Sequence, residues 1–445
     1  MIPKLLSVFF LLIALNLGAQ NAMSLQQAID YALKNGYSVQ NAASDIDIAR
    51  KKVTELRGIG IPQLNVDGAY QNFIDVPVSV IEAGAFNPAA PPGTYLRIPF
   101  GVKHNMSYGY TASWLAFNGE YLVGLQASKA YVDLSKTNLR KSEIEIKESV
   151  TRAYQTVLVL YENKRILNEN IASLEKSIAQ TEAFYREGFI EELDVDRLKL
   201  LKQTLSITLS TLEQQTALAE KLLKFNMGYD VNTAIELSDK LNDQIESAKT
   251  GVDALPTFDI KSNIDNILLD QALNLQKLEL KRQQSVFLPT LSTFYSWKES
   301  RITNEGDKLF DPMFRVPGGT LWGVNLGVPI FKGFSQRSRV QQARLNMQKL
   351  ETTQKQARQG LELQAAQSYT TYATALKNYN QSKESVALAQ RILDRAQIKF
   401  KEGIGSSIEL IQSENDLLNA QASFVEAARQ LLDSRVSLDK NLNKF

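Results

Sequence analysis

The stretch that decides the fold is "NMSYGYTASWLAF", Asn105–Phe117. Met106, Tyr108, Tyr110, Ala112, Trp114 and Ala116 occupy alternate positions, and Asn105, Ser107, Gly109, Thr111 and Ser113 fill the places between. Successive side chains of a strand point to opposite faces, so one face of this segment is apolar and aromatic and the other small and polar. Three more segments follow the same rule. In "LNVDGAYQN" (64–72), Leu64, Val66, Gly68 and Tyr70 oppose Asn65, Asp67, Ala69 and Gln71. In "LWGVNLGVPIF" (321–331), Trp322, Val324, Leu326, Val328 and Ile330 oppose Gly323, Asn325 and Gly327. "LSTFYSW" (291–297) is mixed, with Leu291, Thr293, Tyr295 and Trp297 against Ser292, Phe294 and Ser296.

A soluble β-sandwich face alternates in this way. So does a transmembrane strand, with apolar groups toward lipid and small polar groups toward a lumen. All three tryptophans of the chain lie in these segments. If each strand pair rises and descends, Tyr70, Trp297 and Trp322 fall near one rim and Trp114, Phe117 and Phe331 near the other, the pattern of two aromatic girdles. Four strands are too few for a barrel, since membrane barrels begin at about eight. An open sheet edge in lipid leaves backbone groups unpaired. The membrane reading therefore requires several chains to share one barrel, with two giving about eight strands and three about twelve. The segments Phe73–His104 and Glu299–Thr320, rich in Pro, Gly and charge, read as loops at the outer mouth.

Around the strands the chain follows one plan twice. The first half reads as helix (Ser24–Gly58), strand, loop, strand, long helix (Glu120–Arg186), Gly188 and helix (Leu193–Asn226). The second reads as helix (Ile260–Val286), strand, loop, strand, long helix (Phe334–Lys401), Gly403 and helix (Ser406–Leu442). "IGIPQL" (59–64) answers "VFLPTL" (286–291), and "YREGFIEELD" (185–194) answers "FKEGIGSSIE" (400–409). Such an ordered match indicates an internal duplication: residues 20–227 and 260–445 form the copies, and 228–259, with Gly228, Gly251 and Pro256, forms a connector. Each long helix spans about 100 Å at 1.5 Å per residue, a length suited to coiled-coil-like packing. Ile146, Val150, Ala153, Val157 and Leu160 give a 4-3-4-3 stripe in the first, and Leu361, Ala365, Ser368, Tyr372 and Ala375 a smaller, more polar one in the second.

Bulk properties narrow the function. Lys4 followed by "LLSVFFLLIALNLGA" resembles a secretory signal peptide covering residues 1–19, with cleavage expected after Ala19. The chain has no Cys and a single His, His104, so disulfides are excluded and the usual donors of a zinc site are missing. A formal charge of +2 gives no reason to invoke nucleic acid. No nucleophile–base constellation or phosphate-binding Gly loop points to an enzyme or a cofactor.

The signal-like start, the "PQL" and "PTL" junctions, the "FNG" and "FKG" strand-to-helix transitions and the two Gly tips together resemble the TolC family of outer-membrane efflux proteins. The resemblance covers essentially the whole mature chain. It implies a mixed α and β membrane protein: a homotrimer whose twelve-stranded β-barrel crosses the outer membrane of a Gram-negative bacterium and continues as a long periplasmic α-helical barrel. Such proteins are passive exit ducts, partnered by a periplasmic adaptor and an inner-membrane pump driven by protons or ATP. The resemblance places Glu187, Gly188, Phe189, Glu402, Gly403 and Ile404 at the adaptor-contacting tips. It carries an acidic constriction of the periplasmic entrance onto Glu409, with the second position falling on the neutral Gln412. Asp194 holds the comparable place in the first tip, either as a pore acid or as a helix first-turn residue, and Arg197 one turn on is placed to pair across the tip. Asp196 and Glu414 read as ordinary solvated charges. Small-molecule efflux, type I protein secretion and a non-conducting structural or adhesive role all remain open on the sequence.

Overall fold

A computed structural model describes residues 22–86, 88–250 and 258–445. The expected signal peptide, and Gly251 and Pro256 of the connector, lie outside the described residues. In chain order the elements are α1 (Leu25–Asn35), α2 (Tyr37–Ile59), β1 (Gln63–Asn72), β2 (Val78–Glu82), β3 (Tyr95–Pro99), β4 (His104–Asn118), α3 (Gly119–Arg186) and α4 (Glu192–Met227). They continue as α5 (Leu241–Lys249), α6 (Ile264–Ser285), β5 (Thr290–Thr303), β6 (Arg315–Val316), β7 (Thr320–Gly327), α7 (Ser335–Lys401) and α8 (Ser407–Asn441). The order of helix, two long strands, very long helix and returning helix occurs twice.

The chain divides into two units. One comprises residues 48–133 and 272–350 and holds the sheet, ordered β1-β4-β5, with β5 also pairing β6 and β7. Every long pair is antiparallel, and its register settles which residues share a face. Val66 pairs with Tyr110 and Tyr110 with Trp297; Leu64 pairs with Ala112, Ala112 with Tyr295 and Tyr295 with Trp322. The apolar sets of all four strands therefore lie on one face of one sheet, opposite Asn65, Asp67, Thr111, Ser113, Ser296 and Asn325. On the polar face Gly323 admits the Phe294 ring, which would lie 2.7 Å from an added Cβ.

Four details depart from the sequence reading. Strict alternation sets Phe117 opposite Trp114, but a bulge between Leu115 and Phe117 shifts the register so that Phe117 pairs with Leu291 on the apolar face. β5 continues through Thr303, into the segment from Glu299 expected to be loop. The charge of Glu299 is tolerated in the strand because Tyr108 donates to its carboxylate and Arg315 Nη2 lies 2.7 Å from it. β7 ends at Gly327 rather than Phe331, since Pro329 has no N–H to give a ladder. The expected loop Phe73–His104 contains the β2–β3 hairpin.

The other unit comprises the described part of 1–47 with 134–271 and 351–445. Its core joins Ala28 and Ala32 of α1, Val150, Tyr154 and Val157 of α3, Leu223 and Met227 of α4, Tyr372 of α7, and Ala428 and Leu431 of α8. Of the expected stripes, Ile146, Val150, Ala153 and Val157 are buried with Leu160 half-buried, and Ala365, Ser368, Tyr372 and Ala375 are buried with Leu361 half-buried. The helix expected over Ser24–Gly58 is broken at Gly36, whose ψ is 131°. An added Cβ there would sit 2.2 Å from the Ile146 side chain. The connector is more ordered than its sequence indicated, because α5 packs Leu241, Ile245 and Ala248 into the same core. Tyr154 Oη fastens this region by donating to Met23 O at 2.9 Å, and Met23 bridges Leu237.

Candidate functional site

Two helix-to-helix tips form the candidate site, and the chain builds both in the same way. At the end of α3, Gly188 N donates to Tyr185 O at 2.9 Å and Phe189 N to Phe184 O at 3.0 Å. At the end of α7, Gly403 N donates to Phe400 O at 3.1 Å and Ile404 N to Lys399 O at 3.0 Å. This paired closure of the last carbonyls requires a left-handed residue after the helix, and the glycines have φ of 82° and 74°. The restarts differ. α4 begins behind Glu191 without a side-chain cap, whereas Ser406 Oγ accepts from Glu409 N at 3.1 Å to cap α8.

The Phe184 ring meets Phe400 edge-on at 5.5 Å, which brings the tips together. Beyond that contact the tips present Phe189 and Ile404, 76% and 80% exposed, beside exposed Glu187 and Glu402. An acid at the C-terminal end of a helix opposes the helix dipole, so these two glutamates do not serve helix stability.

The constriction candidates occupy this region in separate pairs. Glu409 Oε1 accepts from Lys399 Nζ at 2.7 Å, which makes Lys399 the cation reaching across the second tip. Arg197 instead lies 3.6 Å from Asp194 on its own helix, and does not cross the tip as expected. Gln412 Nε2 donates to Asp416 Oδ1 at 2.8 Å along α8. Asp194 lies in the first turn of α4. Farther back, Lys199 Nζ at 2.8 Å holds the Glu182 carboxyl below its ordinary range.

Glu414 departs from its sequence expectation. Expected to be solvated, it is only 5% exposed. Its Oε1 accepts from Ser177 Oγ of α3 and Gln397 Nε2 of α7, both at 3.4 Å, and no cation pairs with it among the described residues. Burial raises its pKa, with the two hydrogen bonds opposing the rise. The signal was present in the spacing: Leu410, Glu414 and Leu417 follow a 4-3 seam whose leucines are buried.

In the sheet, Trp297 stacks on Tyr110 at 5.5 Å, and Trp114 Nε1 donates to Gly60 O at 3.0 Å. Tyr70 pairs with Met106 and its hydroxyl meets His104 Nδ1 at 2.8 Å. Trp322 pairs with Tyr295, and Phe331 lies past the end of β7 against Phe334 at 5.3 Å. Among the described residues no helix is long and apolar enough to cross a membrane, and no group of His, Cys, Asp or Glu is placed to hold a metal ion.

A sheet with one apolar and one polar face, joined to paired helices of more than sixty residues, defines the class of outer-membrane channel proteins whose strands and helices occur in two rounds. The comparisons give the family. The model described as outer membrane efflux protein matches residues 28–229 and 270–444, and the chain belongs to that family of outer-membrane transport proteins. It is similar to the open state of the Neisseria gonorrhoeae MtrE outer membrane channel, with a TM-score of 0.72 at 16% identity over 94% of this chain and 88% of that one. The outer membrane protein VceC of Vibrio cholerae aligns with a TM-score of 0.70 at 15% identity over 94% and 95%. The Campylobacter jejuni CmeC outer membrane channel gives 0.69 at 16% over 94% and 85%. Among curated sequences, Protein CyaE of Bordetella pertussis is 29% identical over 115 residues, 26% of this chain and about a quarter (24%) of its own length.

Proposed function

We propose that three copies of this chain close a twelve-stranded barrel in the outer membrane, extended into the periplasm by a barrel of the long helices, as a passive exit duct for small molecules such as drugs or toxic compounds. The observation that carries the reading is the sheet register, which puts four apolar strand faces on one side and small polar side chains on the other. That is the division between lipid and a wet lumen. β1 and β7 pair on one side only among the described residues, and lipid does not tolerate open edges, so each free edge calls for another copy. A structural or adhesive role would have no need of the small polar face. Residues 20–227 and 260–445 are then duplicated halves, each supplying two strands and one tip.

The exposed Phe189 and Ile404, with Glu187, Gly188, Glu402 and Gly403, form the surface that a periplasmic adaptor would meet. An inner-membrane pump, driven by protons or ATP, supplies the energy. Glu409 and Asp194 bring negative charge to the entrance, where a charged ring biases a pore toward cations.

The assembly is tested by cysteine pairing, which is clean because the chain has no Cys. Asn65→Cys on β1 is combined in turn with Leu321→Cys, Asn325→Cys or Gly327→Cys on β7, all on the polar face. One combination is expected to yield a covalent ladder that ends at three chains on oxidation. A ladder ending at two chains, or no cross-link in any combination, contradicts the trimer.

A further inference from the structure

We propose that the junction between the sheet and α7 is a binding site for an anionic phospholipid. The proposal rests on the outer-membrane reading, which puts this junction at the periplasmic rim of the lipid-facing sheet.

The chain between β7 and α7 borders a cleft of ≈ 230 Å³ together with Val286 and Phe287, which lead into β5. Its walls are large apolar groups left open to solvent: Ile330 is 94% exposed and Phe331 72%, and Phe287 and Phe334 are more than half exposed. A contiguous patch of this kind marks an interaction surface rather than scattered surface hydrophobics. The backbone adds an independent sign. Phe334 has φ of 62°, directly after Gly333 at 59°. A bulky L-residue in the left-handed region is strained, and such strain collects at binding sites. Here it sets the Phe334 ring edge-on to Phe331, 5.3 Å away.

The charge around the cleft selects the occupant. Lys332 and Arg337 line it, and neither forms an ion pair among the described residues. No acid lines the cleft, and Glu120, which borders a neighbouring cleft with Lys332, is bound by the Arg282 guanidinium. An apolar cleft with two unpaired cations at its edge fits a molecule with acyl chains and a phosphodiester, the chains against Phe287, Ile330, Phe331 and Phe334 and the phosphate at Lys332 and Arg337. A second copy of the chain fits less well. The segment leading into its β1 edge, residues 57–63, offers exposed Ile59 and Ile61 to the apolar walls but brings Arg57 and no acid, so it leaves Lys332 and Arg337 unanswered.

The test uses the purified, delipidated oligomer of the full chain and native mass spectrometry. Phosphatidylglycerol and phosphatidylcholine of identical acyl chains are titrated in parallel. We expect phosphatidylglycerol adducts, up to one per chain, at least fivefold more populated than phosphatidylcholine adducts. Lys332→Gln with Arg337→Gln should abolish that preference, and Lys332→Arg with Arg337→Lys should keep it. Equal retention of the two lipids by the unaltered chain, or a preference that survives the Gln pair, overturns the proposal. Loss of the oligomer in the Gln pair, with the charge-keeping pair intact, assigns the cleft to the neighbouring copy and also overturns it. Flotation of the unaltered oligomer with vesicles tests the membrane reading separately. Selective phosphatidylglycerol binding without flotation leaves the lipid site standing and removes the membrane reading.

Discussion

Glu414 places a carboxylate between Leu410 and Leu417, where α3 and α7 offer only two long hydrogen bonds. Two cations of the tips are engaged elsewhere, Lys399 of α7 by Glu409 and Lys199 of α4 by Glu182. Desolvation raises the Glu414 pKa above its ordinary 4.5, so packing of the tip favours the protonated carboxyl over the charged one. Stability from this residue is fully present below 4.5, falls as pH rises from there through the raised value, and is level above it. Amide exchange at the tip, corrected for intrinsic rates, should therefore show weaker protection at pH 7 than at pH 5. Glu414→Gln should remove most of that difference and stabilise the tip at pH 7 by on the order of 1–3 kcal/mol. An unchanged pH dependence in Glu414→Gln would show that another group sets it. The position was legible in the spacing and the environment was not, because a glutamate in a polar run reads as solvated until the facing helices are known. Glu299 misled in the same way: only the pairing of Tyr108 opposite it, with Arg315 beside it, makes a 3% exposed carboxylate acceptable in a strand.

At the scale of elements, the sequence was most informative where a local rule suffices. The Gly-terminated tips, the long helices and the alternating strands follow from period and from left-handed glycines. What it hid was set by contacts distant in sequence. Gly36 interrupts a continuous helical pattern because Ile146 occupies the space of a side chain. A nine-residue helix such as α5 is marginal alone and persists because Leu241, Ile245 and Ala248 are buried in the helical core. The bulge before Phe117 follows from pairing with β5, to which the residues of β4 alone give no clue. The tips themselves can be tested by geometry. Gly403→Ala forces a Cβ into the left-handed region at a cost of roughly 1–2 kcal/mol. Nothing lies within 4 Å of that Cβ, so strain acts without a clash. Exchange protection should fall by that amount in residues 398–410 and remain unchanged near Gly188. Loss of protection at both tips alike would mean that they unfold as one unit.

For the whole molecule, β1 and β7 each pair on one side only among the described residues, and with the two-sided sheet this supports the proposed barrel shared among copies. The pair formed by Glu409 and Lys399 is about half exposed on both sides, and such pairs contribute at most about 1 kcal/mol. In the proposed duct that weak pairing leaves Glu409 free to bias the entrance toward cations, while Gln412 one turn on adds no charge. The most direct measurement is single-channel conductance of the mass-checked oligomer in a planar bilayer, alongside Glu409→Ala. The expected result is a trimer with a small, cation-biased current, which Glu409→Ala enlarges or renders less selective. A monomer or dimer that carries no current in either form would contradict it.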